Sequence, residues 1–131
     1  MNDLTHEQTA QIEKLLRELE RRLRAEIREG LLRSDEEHHK DLAGMVADIG
    51  DESMANMLAD VDIAAIDRDV KELREVEGAL ARLRGGEFGA CAECGQPIGF
   101  PRLQANPAAA RCIVCQGRRE RGYAHEGTPT L

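Results

Sequence analysis

Cys91-Ala92-Glu93-Cys94 and Cys112-Ile113-Val114-Cys115 hold all four cysteines of this 131-residue chain, in two CxxC pairs separated by the seventeen residues Gly95 to Arg111. Each pair turns two thiolates to one side, and two such turns close a tetrahedral sulfur site for one zinc ion. Gly89 before the first pair, with Gly95 and Gly117 after each pair, supplies backbone that turns easily around a metal. The competing readings are a redox CxxC or four ordinary buried thiols. Zinc is favoured because no cysteine is left over and the spacing fits a zinc ribbon. Four thiolates leave no open coordination position, so the ion expected at Cys91, Cys94, Cys112 and Cys115 is structural.

Composition explains why such a staple is needed. Phe88, Phe100 and Tyr123 are the only aromatic residues, Trp is absent, and a third of the chain is charged. That is thin material for a globular core but suits long helices. No apolar run approaches a membrane span and no signal-peptide pattern opens the chain, so a reducing cytoplasm is expected, where paired cysteines take metal. The net charge of −7 is uneven: Asp35 to Glu77 carry fourteen acids against four bases, −10, and the remainder carries +3. An acidic arm of this kind is repelled by nucleic-acid phosphates, which argues against direct DNA or RNA binding.

Upstream of the cysteines the chain reads as helix. Thr5-His6-Glu7-Gln8 is a capping box, and Ile12, Leu16, Leu19, Leu23, Ile27 and Leu31 follow at steps of three or four. Polar residues from Arg33 to Asp41 interrupt this seam, which resumes with Leu42, Met45, Val46 and Ile49. A second seam runs from Met54, Leu58 and Val61 through Ile63, Ile66, Val70, Leu73, Val76, Leu80 and Leu83 to a stop at Gly85-Gly86. Between them, Asp48-Ile49-Gly50-Asp51-Glu52-Ser53 has turn and cap chemistry. If the chain reverses there, Leu42 meets Leu58, Val46 meets Met54, Ile27 meets Leu73 and Leu19 meets Leu80. The expected fold is therefore mainly α: a long antiparallel coiled-coil helical hairpin with a C-terminal four-cysteine zinc-finger module and a short closing helix. Residues 1–86 form the hairpin, with its tip at about 48–53; 87–121 form the zinc module; 122–131 form a flexible tail. At 1.5 Å per residue the rod is roughly 50 Å long. Asp35-Glu36-Glu37 reads as a solvated face, and the four histidines as surface residues. No Ser/His/Asp set, phosphate loop or open metal site is visible, and catalysis is not expected.

Glu87-Phe88-Gly89-Ala90-Cys91-Ala92-Glu93-Cys94-Gly95-Gln96-Pro97-Ile98-Gly99, followed by Arg102-Leu103, Ala105, Pro107, Ala109 and the second CxxC, resembles the DksA/TraR zinc-finger family. The acidic hairpin fits that family too, and the resemblance covers roughly residues 10 to 120. It implies a bacterial transcription regulator that binds RNA polymerase and not DNA. Such a regulator inserts its coiled-coil tip into the secondary channel, alters open-complex lifetime and so modulates initiation. By position, Asp48 and Asp51 match the two acids of the family tip motif Asp-x-x-Asp-x-Ala, and Arg68 falls where the family carries a polymerase-contacting Arg. Ser53 replaces the motif's alanine. Glu75, Asn106 and Gln116 stand where long members carry basic residues for guanosine tetraphosphate, so alarmone synergy is expected to be weak. A working tip must be free, which implies a monomer. A zinc-stapled adaptor for another protein and a thiol redox sensor are the alternatives.

Overall fold

A computed structural model describes residues 4–48, 53–61 and 63–127. Among the described residues six helices follow in order: α1 (His6–Leu32), α2 (Glu37–Asp48), α3 (Met54–Met57), α4 (Ala64–Gly85), α5 (Phe100–Ala105) and α6 (Ile113–Gly127). No strand occurs among the described residues, only an isolated antiparallel bridge between Ala90 and Pro97. No described helix is long and apolar enough to cross a membrane.

The sequence signals act where they stand. Gln8 N–H donates to Thr5 Oγ1 while the Gln8 side chain accepts from Thr5 N–H, so the capping box satisfies two donors at the start of α1. α4 ends at Gly85, and Gly86 takes the left-handed conformation (φ 77°), with its N–H and that of Glu87 closing on Arg82 O. Between these limits α1 and α4 form the antiparallel pair that the seams predict. Ile12, Leu16, Leu23, Ile27 and Leu31 on α1, with Ile66, Leu73, Val76, Ala79 and Leu80 on α4, are buried in one core. Gly30 abuts Ile66 so closely that a Cβ at Gly30 would collide with the Ile66 Cγ2 methyl. Exposed pairs such as Lys71–Asp67 (3.0 Å) and Arg68–Glu72 (3.2 Å) line the outside and add little each.

The α1/α4 pair is the expected hairpin, and what the seams did not foresee is that α2 packs on α1 and α3 on α4. Of the expected tip, 49–52 lie outside the described residues, and the flanking Asp48 and Ser53 belong to elements packed along the α1/α4 pair. α1 stops at Leu32, a turn at 33–36 follows, and α2 packs back against α1. Ser53 then lies beside Glu20 and Leu80, and its hydroxyl bonds Glu77, thirteen residues into α4 and about 20 Å from that helix's start. The outer end of the pair is instead formed where Leu32 of α1 and Ala64 of α4 terminate. The cause lies in the polar interruption already visible in the sequence. A helix continued through Arg33–Lys40 would set Ser34, Asp35 and His38 along the seam, where burial is costly. The chain breaks there, and Leu42, Ala43, Val46, Met54, Ala55 and Leu58 are buried against α1 and α4. Ser34 Oγ accepts from Glu36 N–H (3.2 Å) and lies 2.6 Å from His39 Nδ1. His39 is thereby largely covered, its side chain 13% exposed, and is not the surface residue expected.

A second departure concerns the C-terminus. α6 continues to Gly127, beyond Arg121 where the closing helix was expected to stop and into the segment expected to be a flexible tail. Nothing between Arg118 and Glu126 breaks a helix except Gly122, and the next strong stop is Pro129.

Candidate metal centre

Backbone geometry brings the two CxxC pairs together before any metal is considered. Gly89 (φ 96°), Gly95 (φ 76°) and Gly99 (φ 97°) take conformations open to glycine, and they bracket a tight loop. Within it Ile98 N–H donates to Gly89 O (2.8 Å), Cys91 N–H to Gln96 O (2.7 Å), and Gly95 N–H to Cys91 O (3.0 Å). Cys91 and Cys94 therefore sit on one knuckle. The second pair is helical: Cys112 immediately precedes α6, and Cys115 lies in its first turn. Ala92 N–H donates to Ala110 O (2.8 Å), a backbone bond that joins the halves. Glu93, between the first two cysteines, accepts from Arg111 Nε (2.7 Å), while Arg119 lies 3.9 Å away. Arg111 O in turn accepts from Arg102 Nε (3.0 Å) on α5. Phe88, Ile98, Leu103, Ala108 and Ala109 form a small apolar floor.

The four sulfurs lie within 4.8 Å of one another, and Cys94 and Cys112 approach to 3.7 Å. A tetrahedral zinc with Zn–S of about 2.3 Å requires sulfur–sulfur edges of about 3.8 Å. The donor set therefore fits, and this is a structural zinc site. Cys91 and Cys115 are buried, Cys112 is partly covered and Cys94 is exposed.

The metal-free thiols are not equivalent. Burial raises the Cys91 thiol, but backbone hydrogen bonds at Cys112, Cys94 and Glu93 outweigh it and bring its pKa down to about 6. Cys112 is lowered by the Cys115 N–H, which points at its sulfur from 3.5 Å. Cys115 is pushed up to about 12, first by its hydrogen bond with Cys112 and then by burial. A bound dication favours all four thiolates, so zinc binding must release protons.

The other expected site residues are dispersed. Asp48 closes α2 and is exposed. Asp51 lies outside the described residues. Ser53, expected as a partner contact, has internal bonds: it caps α3 by accepting from Asn56 N–H (3.1 Å) and donates to Glu77 Oε1 (2.9 Å). Arg68 projects from the second turn of α4, 90% exposed and paired with Glu72 one turn on. Nearby, burial first and Asp69 second raise the pKa of Glu26, two acids meeting across the α1/α4 pair. Glu75, Asn106 and Gln116 line a common groove of about 640 Å³ between α4 and the zinc module. Arg74, Arg82, Arg102, Arg111 and Arg119 line it as well, a concentration that attention to three positions misses. Part of it was legible, since Arg74 and Arg82 stand eight residues apart on one face of a helix. Only the docking of α5 and α6 brings the other arginines to the same space.

Comparison with known proteins bears on the same module. Residues 86–121 match the family model of the prokaryotic dksA/traR C4-type zinc finger. The chain is 36% identical over 90 residues to the RNA polymerase-binding transcription factor DksA of Caulobacter vibrioides, covering 69% of this chain and 58% of that protein. It is 32% identical over 79 residues to the same-named factor of Escherichia coli, covering 60% and 52%. The chain thus spans little more than half the length of these relatives. Among solved structures, transcription factor DksA2 from Pseudomonas aeruginosa superposes with a TM-score of 0.60 at 27% identity, over 92% of this chain and 88% of that one. The DnaK suppressor protein from Agrobacterium tumefaciens gives 0.51 at 26% identity, over 83% and 91%.

Proposed function

Because the chain belongs to the DksA/TraR family, we propose that it regulates transcription by binding RNA polymerase directly, without contacting DNA and without catalysis of its own. The observation that carries this is a four-thiolate zinc module, matched to the family over residues 86–121, at the base of an antiparallel α1/α4 pair with an acidic intervening segment. In the finer form of the proposal the helical hairpin enters the secondary channel, and Asp48 and Asp51 act near the catalytic centre once the segment that holds them is released from the α1/α4 pair. Carboxylates there act on basic side chains or on the field of the active-site metal. Arg68, solvated near the outer end of α4, supplies an anchoring cation. The zinc module remains outside as a docking base, and the protein works as a monomer in the cytoplasm.

Alarmone synergy is weak in this proposal. Glu75, Asn106 and Gln116 offer no cation to a polyphosphate, and of the five arginines lining the same groove Arg102, Arg111 and Arg119 are already engaged with Arg111 O or Glu93, leaving Arg74 and Arg82. The test is binding to core RNA polymerase and transcription from a ribosomal promoter, for wild type and Asp48→Asn/Asp51→Asn. Binding kept with activity lost supports the tip mechanism. No binding at all replaces it with an adaptor for another protein.

A further inference from the structure

Glu77 is a residue that the proposed activity leaves unused, and it ties the folded-back segment to α4 through two hydrogen bonds. Its two carboxylate oxygens accept from different donors of one element: Oε1 from the Ser53 hydroxyl and Oε2 from Met54 N–H, both at 2.9 Å. Met54 N–H is one of the donors that a four-residue helix leaves unpaired, so a side chain of α4 caps α3 from outside. α2 is held differently, through the apolar face of Leu42, Ala43 and Val46 laid on α1.

The same apolar residues have a second arrangement open to them. In the antiparallel register of the seams, Leu42 faces Leu58 and Val46 faces Met54, so α2 and the 54–61 segment can bury these side chains on each other. Swung outward in that register, they would prolong the α1/α4 pair by the length of α2, about 18 Å. The turn at 33–36 is a natural pivot, since residues 33, 35 and 36 are exposed and water can replace its bonds. The two positions bury similar apolar groups and differ mainly in the Glu77 contacts and in the polar turn, which is the condition for a bistable element.

We infer that α2 and α3 form a hinged arm with two positions, folded along α1/α4 with Glu77 as its catch, or extended to lengthen the rod. Folded, the arm holds Asp48 back alongside the helix pair and the protein is self-restrained; extended, it brings Asp48 to the outer end. This rests on the proposed action at RNA polymerase for its purpose but not for its existence.

The test measures the distance between labels at Ala25 on α1 and Met45 on α2, both exposed. Attachment through unnatural amino acids spares the zinc thiols. The folded arm predicts roughly 10–20 Å, the spacing of packed helices with their side chains. An arm continuing α1 predicts about 30 Å for twenty helical residues. Free wild type should show the short distance. Glu77→Ala should raise the ratio of long to short about tenfold, as loss of a charged cap implies. Ser53→Ala, which keeps the Met54 bond, should raise it less and serves if Glu77→Ala lowers helicity. Saturating core polymerase should make the long distance dominant. Polymerase bound with the short distance retained overturns the inference, as does a folded Glu77→Ala protein with the wild-type distribution. Opening in Glu77→Ala without any polymerase binding would support the arm while removing the proposed function.

Discussion

The zinc base and the folded-back α2–α3 segment of this molecule are ordered by different forces. At the base, residues from Phe88 to Cys115 form an ordered unit with few large apolar side chains, because four sulfurs within 4.8 Å share one ion and short backbone bonds fix the knuckle around it. In the folded-back segment no such centre exists among the described residues. There α2 and α3 lie on α1 and α4 through six buried aliphatic side chains and a pair of hydrogen bonds to Glu77. Metal coordination is stoichiometric and directional, so the base has one arrangement. Apolar burial is non-directional, so the folded-back segment can satisfy it in more than one way.

Experiments that remove a single component should separate the two, and the largest effect belongs to the metal. Cys112→Ser, or a strong chelator, should abolish order in the zinc module, since structural zinc contributes about 10–16 kcal/mol of apparent binding free energy in small finger peptides. Circular dichroism should then show most α1/α4 helicity retained, and its complete loss would mean that the rod depends on the base. Truncation in the shared seam comes next. Leu73→Ala, at a fully buried position, should destabilise by about 2–5 kcal/mol in a denaturant melt. Gly30→Ala should cost about 1–3 kcal/mol through its collision with Ile66, despite the better helix propensity of Ala. A neutral Gly30→Ala would show that the α1/α4 pair yields at this contact.

Acid should sharpen the contrast further. Zinc binding must displace the protons that the apo thiols hold, and Cys115, pushed up to about 12, holds its own at neutral pH. Affinity should therefore fall with decreasing pH, more steeply below about 6 where Cys91 also protonates. Chelator competition across a range of pH on either side of that value measures this slope. The outer half should respond in the opposite sense. Glu26 has a raised folded pKa because of burial and Asp69, so its ionisation costs stability above its unfolded value and the cost is relieved as pH falls. Asp69→Asn should raise the melting temperature slightly at neutral pH, the effect kept small because the Glu26 side chain is about half exposed and solvent screens the pair.

Several features were legible without coordinates because their causes are local. The Thr5 box, the Gly86 stop and the two CxxC turns depend on residues within a few positions of one another, and each occurs as expected. The α1 and α4 seams were legible as well, since a periodic apolar stripe must find a partner and the two stripes match in length. Ser53 shows the limit: its cap on Asn56 N–H is a local event, but its bond to Glu77 spans twenty-four residues and has no sequence signature. The groove of arginines is similar, assembled from helices that meet only after the zinc module docks.

The amino-acid order alone determined the helical class, the zinc ligands and the two stripes that pair, because each follows from spacing along a regular backbone or from the chemistry of a residue type. Only the tertiary structure decided where the segment between those stripes goes. Leu42, Val46, Met54 and Leu58 ask merely to be buried, and hydrophobic burial does not specify against which surface. That choice was made by the break at Arg33–Glu36 and by a carboxylate at Glu77, two terms whose weight depends on what lies beside them in space.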